Sequence, residues 1–528
     1  MYTQLRMVDT LEKMGISSSF SGEIYTRLDM IYSSWLANDE EIMLDMTTCA
    51  MAFRLLRLHG YDIPSEGLAQ FSEESSFHES VQGHLNDTEA LLELYKASQV
   101  HIMEEEPILE NICSWSAELL KQQLCSNKIS RSVDPAEVEH VLKFPHYATL
   151  DRLEHRRNIE QFRPGCSMML KSAYRVSHAA EEKILALATD GFHSSQAVYQ
   201  QELQHLESWV REMRLDELEF ARVMPMHTLF SSASTMFPSE LSEARIAWSK
   251  NTMLTTAVDD LFDVVGAREE LENFITLIEM WDAHEEVGFY SERVETLFRA
   301  VYNTSNEIAA KAAAVQKRNV IGHIAELWAE LVRAMMVETE WRMSGRVPSM
   351  EEYMRVALPS IALGPILCIS LYLVGPELPD DVVRGHEYSE LLRHTNICSR
   401  LKNDLATYER ENAQGKVNSV PLLARRRGGS IEAAEREVKG TVEASRRKLL
   451  RLVARKEGAV PRPCRALFWN ICKAVHRFFY KGEDSYTSPT ELVHAGNAVV
   501  LDPLRLPAGM IDLTAASTSK AAGRACLS

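Results

Sequence analysis

Apolar residues recur every three to four positions along most of the 528-residue chain, a spacing that belongs to helices. Met43–Leu58 follows it, with Gly60 placed to close the helix. Thr88–Val100 follows it with Thr88 as the expected N-cap, and so do the stretch opened by Ser242 and His323–Trp341. Alternating strand patterns and Asn-Gly hairpins are missing, so the sequence predicts an all-α fold. The length is enough for more than one core, and two helical domains are expected, 1–180 and 181–506. Residues 507–528 turn small and polar and are expected to form a disordered tail. Ser130–Asn158, rich in proline, histidine and basic residues, is expected to be a hinge region.

The formal charge of −18 argues against a general nucleic-acid or anionic-membrane binder, so an anionic substrate would need multivalent cations to attract it. The nine cysteines form no C-x-x-C pair and read as reduced thiols. The first residues, MYTQLRMVDTLEKMG, resemble neither a secretory nor a transit leader, so the expected location is cytoplasmic, or the chloroplast if the N-terminus is truncated. Val356–Val374 carries no charge, but Pro359, Gly364 and Pro365 interrupt it. It is expected to be a kinked buried helix and not a membrane span.

The residues richest in chemistry are Asp259, Asp260 and Asp263. On a helix Asp259 and Asp263 lie one turn apart on one face, with Asp260 about 100° round. Three carboxylates among apolar neighbours either face solvent or hold cations, and hard divalent ions such as Mg²⁺ suit them. A second cluster sits in SRLKNDLATYERE, where Asn403, Thr407 and Glu411 form a stripe of oxygen ligands at i, i+4 and i+8. Asp404 stands beside that stripe, and Arg400 lies one turn earlier. H-E-x-x-H, G-x-S-x-G, Walker and dinucleotide motifs are absent, as is D-x-D-D.

The two clusters resemble the D-D-x-x-D and N-D-x-x-[ST]-x-x-x-E boxes of plant class I terpene synthases. CAMAFRLLRLHGYDIPSE (49–66), LKFPHYATLDRLEHRRNIE (142–160), ARIAWSKNTMLTTAVDDLFDV and FFYKGEDSYTSP (478–489) are similar to the kaurene synthase-like diterpene synthases of that family. The resemblance implies a vestigial N-terminal β domain and a catalytic C-terminal α domain, without the γ domain of the three-domain members. It implies Mg²⁺, in three ions and with Mn²⁺ as a substitute, held by Asp259, Asp260 and Asp263 on one wall and Asn403, Thr407 and Glu411 on the other.

Arg222 matches the first Arg of an R-x-R loop whose second position is here Met224, and Arg222, Arg400 and Lys416 are the candidates for holding the diphosphate. Pro365-Ile366 looks like a pair whose Ile influences the product, and Glu483, Asp484 and Tyr486 resemble a closing lid. Phe230, Phe262, Tyr372, Tyr408 and Trp469 are candidates for the aromatic wall.

The implied function is cyclisation of a copalyl-type diphosphate to a diterpene hydrocarbon with release of diphosphate. A class II copalyl diphosphate synthase would stand upstream as its partner in the pathway. The alternatives are a cytosolic sesquiterpene synthase using farnesyl diphosphate and a catalytically silent helical interaction protein.

Overall fold

The computed structural model describes residues 1–80, 83, 87–103, 105–130, 133–162, 171–426, 428–479 and 490–506, and no strand occurs among them. The chain divides into two compact units. Unit 1 comprises Met1–Gln196 with Ala454–Lys456 and the residues from Leu501 on, and unit 2 comprises Ala197–Val453 with Glu457–Val500. All seven cysteines among the described residues are free thiols.

Unit 1 is built round a helix with no solvent face. Every residue from Met46 to Arg57 in α2 (Met46–Leu58) is buried, between α1 (Tyr2–Lys13) and α3 (Thr88–Ser98). A helix buried on every side sits at the centre of a domain, and its buried Arg54 and Arg57 must find partners there. Asp45 caps its start by accepting the Thr48 N–H at 2.9 Å. Gly60 closes its end at φ +84°, with the Tyr61 N–H donating back to the Leu56 carbonyl at 3.0 Å. A Cβ on Gly60 would lie 2.0 Å from the Ala454 carbonyl, so this turn requires glycine twice over. The cap of α3 is Asp87 and not the expected Thr88. Thr88 is fully buried, where its hydroxyl bonds Gln123 at 3.0 Å and accepts the Ser130 N–H at 2.9 Å.

The segment expected to be a hinge is instead stapled into unit 1. It forms α4 (Pro135–Lys143) and α5 (Asp151–Gln161), joined by ion pairs of His140 with Glu154 at 2.9 Å and of Arg157 with Glu137. Glu137 also meets Lys96 at 3.4 Å. Lys96 leads to Glu93, Arg54, Asp9 and Lys13, each pair within 3.2 Å. Histidines and arginines that read as hinge composition are the outer members of a buried ionic network. Burial alone would raise the Glu137 carboxyl, but Lys96 and Arg157 outweigh it and hold the group at about 2.

In unit 2, α6 (Pro225–Thr235) packs on α7 (Ser242–Asp260). α8 (Ile321–Ser344) ends in the left-handed turn of Gly345. α9 (Met350–Ser360) starts at a capping box of Ser349 and Glu352, and α10 is His386–Ala413. The uncharged run after α9 is broken more sharply than a kink. Ala362 takes φ +67°, Gly364–Cys368 form a π turn, and only Ile369–Leu371 return to α geometry. Met350–Leu371 is long and apolar enough to pass as a membrane span on composition, but just over half of its most apolar window is buried inside the protein. Its π turn packs on α7 and α8, as a core element of unit 2 does.

Candidate active site

α7 does not stop at Asp260 but widens into a π turn, Leu261–Val265, so Asp259 and Asp260 lie on α geometry and Asp263 on i→i+5 geometry. The three carboxylates differ in surroundings. Asp260 is buried and accepts both the backbone N–H and the Nε of Arg222, each at 2.8 Å. Asp259 keeps 44% of its side chain accessible and takes Arg222 Nη2 at 3.2 Å. Asp263 is bound by Lys416 on one oxygen and by Arg342 at 3.3 Å on the other. Partial burial and the neighbouring Asp263 carboxylate push the Asp259 carboxyl above its ordinary value, and Lys416 and Arg222 only partly oppose the rise. Its accessible face lets water or a cation reach a carboxylate short of positive charge.

The second wall is α10. Asn403 and Glu411 are partly accessible, and Thr407, buried between them, donates its hydroxyl to the Asn403 carbonyl at 2.9 Å. Asn418 Nδ2 donates to Glu411 at 2.9 Å. Asp404 is fully buried in a different set of contacts. It accepts the Tyr353 hydroxyl at 2.7 Å and the Ser419 N–H at 3.2 Å, and it lies 3.1 Å from Arg400 Nε. Arg400 also reaches Glu338 at 3.0 Å and the Tyr353 oxygen at 2.9 Å. Burial works against the Arg400 charge, but Glu338 and Asp404 hold its pKa well above the ordinary value. In this state Arg400 ties α10 to α8 and α9.

The two walls meet at Lys416. The turn after α10 returns the Lys416 N–H to the Glu411 carbonyl at 2.9 Å, and the Lys416 ammonium lands on Asp263. The end of one motif thereby touches the end of the other. Sequence reasoning missed Glu338, Arg342, Tyr353 and Asn418. Glu338 and Arg342, one turn apart in AMMVETEWR, where Glu340 is a further charge, were the available signal. Burial raises the Glu338 carboxyl, with Asp263 and Glu411 close enough to add to the rise.

Ile366 sits partly buried in the second π turn, its carbonyl accepting the Ser370 hydroxyl at 2.7 Å. Phe230 and Phe262 are core aromatics, tilted on Phe478 and edge-on to Phe274. Tyr372 is buried and binds His323 at 2.6 Å, Trp469 is buried, and Tyr408 turns its hydroxyl to exposed Glu409. Glu483, Asp484 and Tyr486 lie outside the described residues.

Among the described residues no three acidic, His or Cys side chains gather into a cage that would hold a metal unaided. The donors nevertheless fit a hard divalent cation. They are all oxygens, they come from two walls, and Asp259 is crowded beside Asp263 without enough cationic charge. Mg²⁺ commonly binds through one or two carboxylates and completes its shell with water and phosphate, so half-cages on facing walls suit it.

A helical unit bearing paired oxygen-rich motifs defines a class of metal-binding synthase domains, and the comparisons fall within it. Residues 211–448 match the terpene synthase family, metal binding domain, and residues 1–142 match the terpene synthase N-terminal domain. A chloroplastic dolabradiene synthase of Zea mays is 66% identical over 96% of this chain and 60% of its own length. A chloroplastic ent-kaur-16-ene synthase of Oryza sativa subsp. japonica is 54% identical over 96% of this chain and 67% of its own. Isoprene synthase from Populus x canescens, solved with three Mg²⁺ ions and dimethylallyl-S-thiolodiphosphate, superposes with TM-score 0.82 at 26% identity. That match covers 94% of this chain and 92% of that one. The chain belongs to the terpene synthase family, among the kaurene synthase-like members of plants, and spans about 60–67% of the length of these two curated relatives.

Proposed function

We propose that the protein is a Mg²⁺-dependent class I diterpene synthase that takes a copalyl-type diphosphate, ionises it and releases a cyclised diterpene hydrocarbon and diphosphate. The observation that carries this reading is the Lys416–Asp263 ion pair, which brings the ends of the two oxygen-rich motifs together. Three Mg²⁺ ions, with Mn²⁺ as a substitute, are proposed by likeness to the isoprene synthase complex. When bound, they neutralise the diphosphate and help it leave. Asp259 and Asp263 hold cations from one side, and Asn403, Thr407 and Glu411 from the other. Asp260 binds Arg222 through its backbone N–H and its Nε, so that the Arg222 guanidinium would meet the diphosphate beside the two motifs. Lys416, which neutralises Asp263, would be free to bind the diphosphate where a metal ion took its place on that carboxylate. Ile366 and the broken segment around it form an apolar wall that excludes water from the carbocation. A class II copalyl diphosphate synthase supplies the substrate, and the location proposed is the chloroplast, as for the relatives labelled so.

Purified protein is incubated with ent-, syn- and normal-copalyl, geranylgeranyl and farnesyl diphosphates, and the hydrocarbons are read by gas chromatography. Turnover of a copalyl substrate that stops on chelation and returns with Mg²⁺ is expected. Efficient turnover of farnesyl diphosphate alone would replace this reading with a sesquiterpene synthase. Asp259→Ala is expected to lose essentially all turnover while keeping its thermal melt; unaltered turnover would remove the site.

A further inference from the structure

The π turn that carries Asp263 needs outside help. A wide turn at a helix end leaves carbonyls without partners in the helix. Within Leu261–Val265 the i→i+5 bond from the Gly266 N–H to the Leu261 carbonyl is 2.8 Å. The carbonyls that follow are taken by side chains. Arg342 Nη2 donates to the Phe262 carbonyl at 2.9 Å, and Arg342 Nη1 donates to the Asp263 carbonyl at 2.6 Å. The same Nη1 lies 3.3 Å from Asp263 Oδ1. Arg293, itself paired with Glu270, takes the Val265 carbonyl at 3.1 Å.

One guanidinium therefore binds two consecutive carbonyls of the turn and the carboxylate that the turn presents. An α helix advances 100° per residue, so four steps from Asp259 overshoot its face by 40°. A wider turn advances by less per residue, so the π geometry changes the direction in which Asp263 leaves the helix. Guanidinium suits the task because its planar fork offers several fixed donors, where an ammonium is a point charge. Arg342 is held in turn by α8, whose Glu338, one turn earlier, pairs with Arg400 of the second wall.

We propose that Arg342 is a positioning residue for cation binding: it fixes the π turn and the Asp263 carboxylate through Oδ1 and leaves Oδ2, now on Lys416, as the oxygen a divalent ion takes. This rests on the reading of Asp259 and Asp263 as a metal-binding wall. Partners that orient a ligand are commonly worth about 10–100-fold in metal affinity.

The test uses the full chain with MgCl₂ and inorganic diphosphate as probes, followed by calorimetric titration, beside the Mg²⁺ dependence of turnover and the thermal melt. Arg342→Ala is expected to weaken Mg²⁺ binding in the presence of diphosphate about tenfold or more. It should raise the Mg²⁺ needed for half-maximal turnover by a similar factor, while KM for the substrate at saturating Mg²⁺ stays within about twofold. Arg342→Lys, which keeps the charge but not the fork, is expected to fall between Ala and wild type, and it serves as the test should the Ala variant fail to fold. A variant that melts earlier but titrates Mg²⁺ as wild type does would overturn the proposal and leave Arg342 a structural residue. Asp263→Ala is the control on the underlying reading. If Asp263→Ala abolishes Mg²⁺ binding and the Arg342 variants do not weaken it, only the positioning role fails. If Asp263→Ala binds as wild type does, the metal wall itself fails and the proposal falls with it.

Discussion

Arg54 and Tyr353 are single side chains that each bond more than one charged neighbour. Arg54 bonds Asp9 at 2.8 Å and Glu93 at 3.0 Å, with all three buried. Arg54→Ala removes the cation that Asp9 and Glu93 share and leaves each with one lysine, Lys13 and Lys96, so unfolding in urea should show a loss of about 1–3 kcal/mol. In unit 2 the Tyr353 hydroxyl donates to Asp404 and accepts from Arg400. Tyr353→Phe should cost about 1–3 kcal/mol by the same measurement, because Asp404 then keeps a buried oxygen with one partner fewer. At this scale residue type and spacing in the sequence were enough to single out Asp259, Asp263 and the α10 stripe as candidates. It was silent on partners distant along the chain. Nothing local to Asp263 announces Lys416, 153 positions away, or Arg342, 79 positions away. Asp404 reads as one more oxygen in the motif, and only the fold shows that Tyr353, Arg400 and Ser419 surround it.

Helices were legible and their interruptions were only half so. Ser242 does open α7, and the periodic stretch from His323 to Trp341 lies within α8. Pro359, Gly364 and Pro365 signalled a disturbance, yet the sharpest departure is at Ala362, a residue with no special turn preference, held at φ +67°. An L-residue there pays about 1–2 kcal/mol in sterics, and glycine would forfeit about 0.4–1 kcal/mol through its freer unfolded state. Ala362→Gly should therefore raise the urea midpoint, by about 0.5–1 kcal/mol of stability. A fall would mean that the Ala362 methyl makes contacts outweighing the strain. The π turn after Asp260 carried no warning, since Leu-Phe-Asp-Val-Val is ordinary helix composition and the side chains that stabilise the turn come from α8 and from Arg293. Ser130–Asn158 went the other way, its composition suggesting a loose joint where long-range ion pairs bind two helices.

The buried network of unit 1 makes the whole molecule sensitive to acid. The Asp9, Glu93, Glu137 and Glu154 carboxyls all sit below their ordinary values, despite burial, because cations surround them. A carboxylate depressed on folding contributes stability that is complete above its unfolded pKa of about 4 and is lost as pH falls towards its folded value. The network's own contribution should be flat from pH 7 to about 5.5 and decline from about 4.5 towards the Glu137 value of about 2, on top of the opposite trend from Asp259 and Glu338, which are raised on folding. Glu137→Gln should make that decline shallower in acid-denaturation curves, and an unchanged slope would count against the network as its source.

Unit 1 is also assembled from three visits of the chain. The backbone carbonyls of Asp502 and Pro503 receive Arg156, and the Ala454 carbonyl closes on Gly60. Arg156 and Asp502 are 346 positions apart. At a translation rate of about 5–20 residues per second, the first part of unit 1 leaves the ribosome about 20 s to a minute before its last pieces exist. The nascent stretch Met1–Gln196 must wait unfinished for that time, with charged groups such as Arg156 still open to solvent and to chaperones.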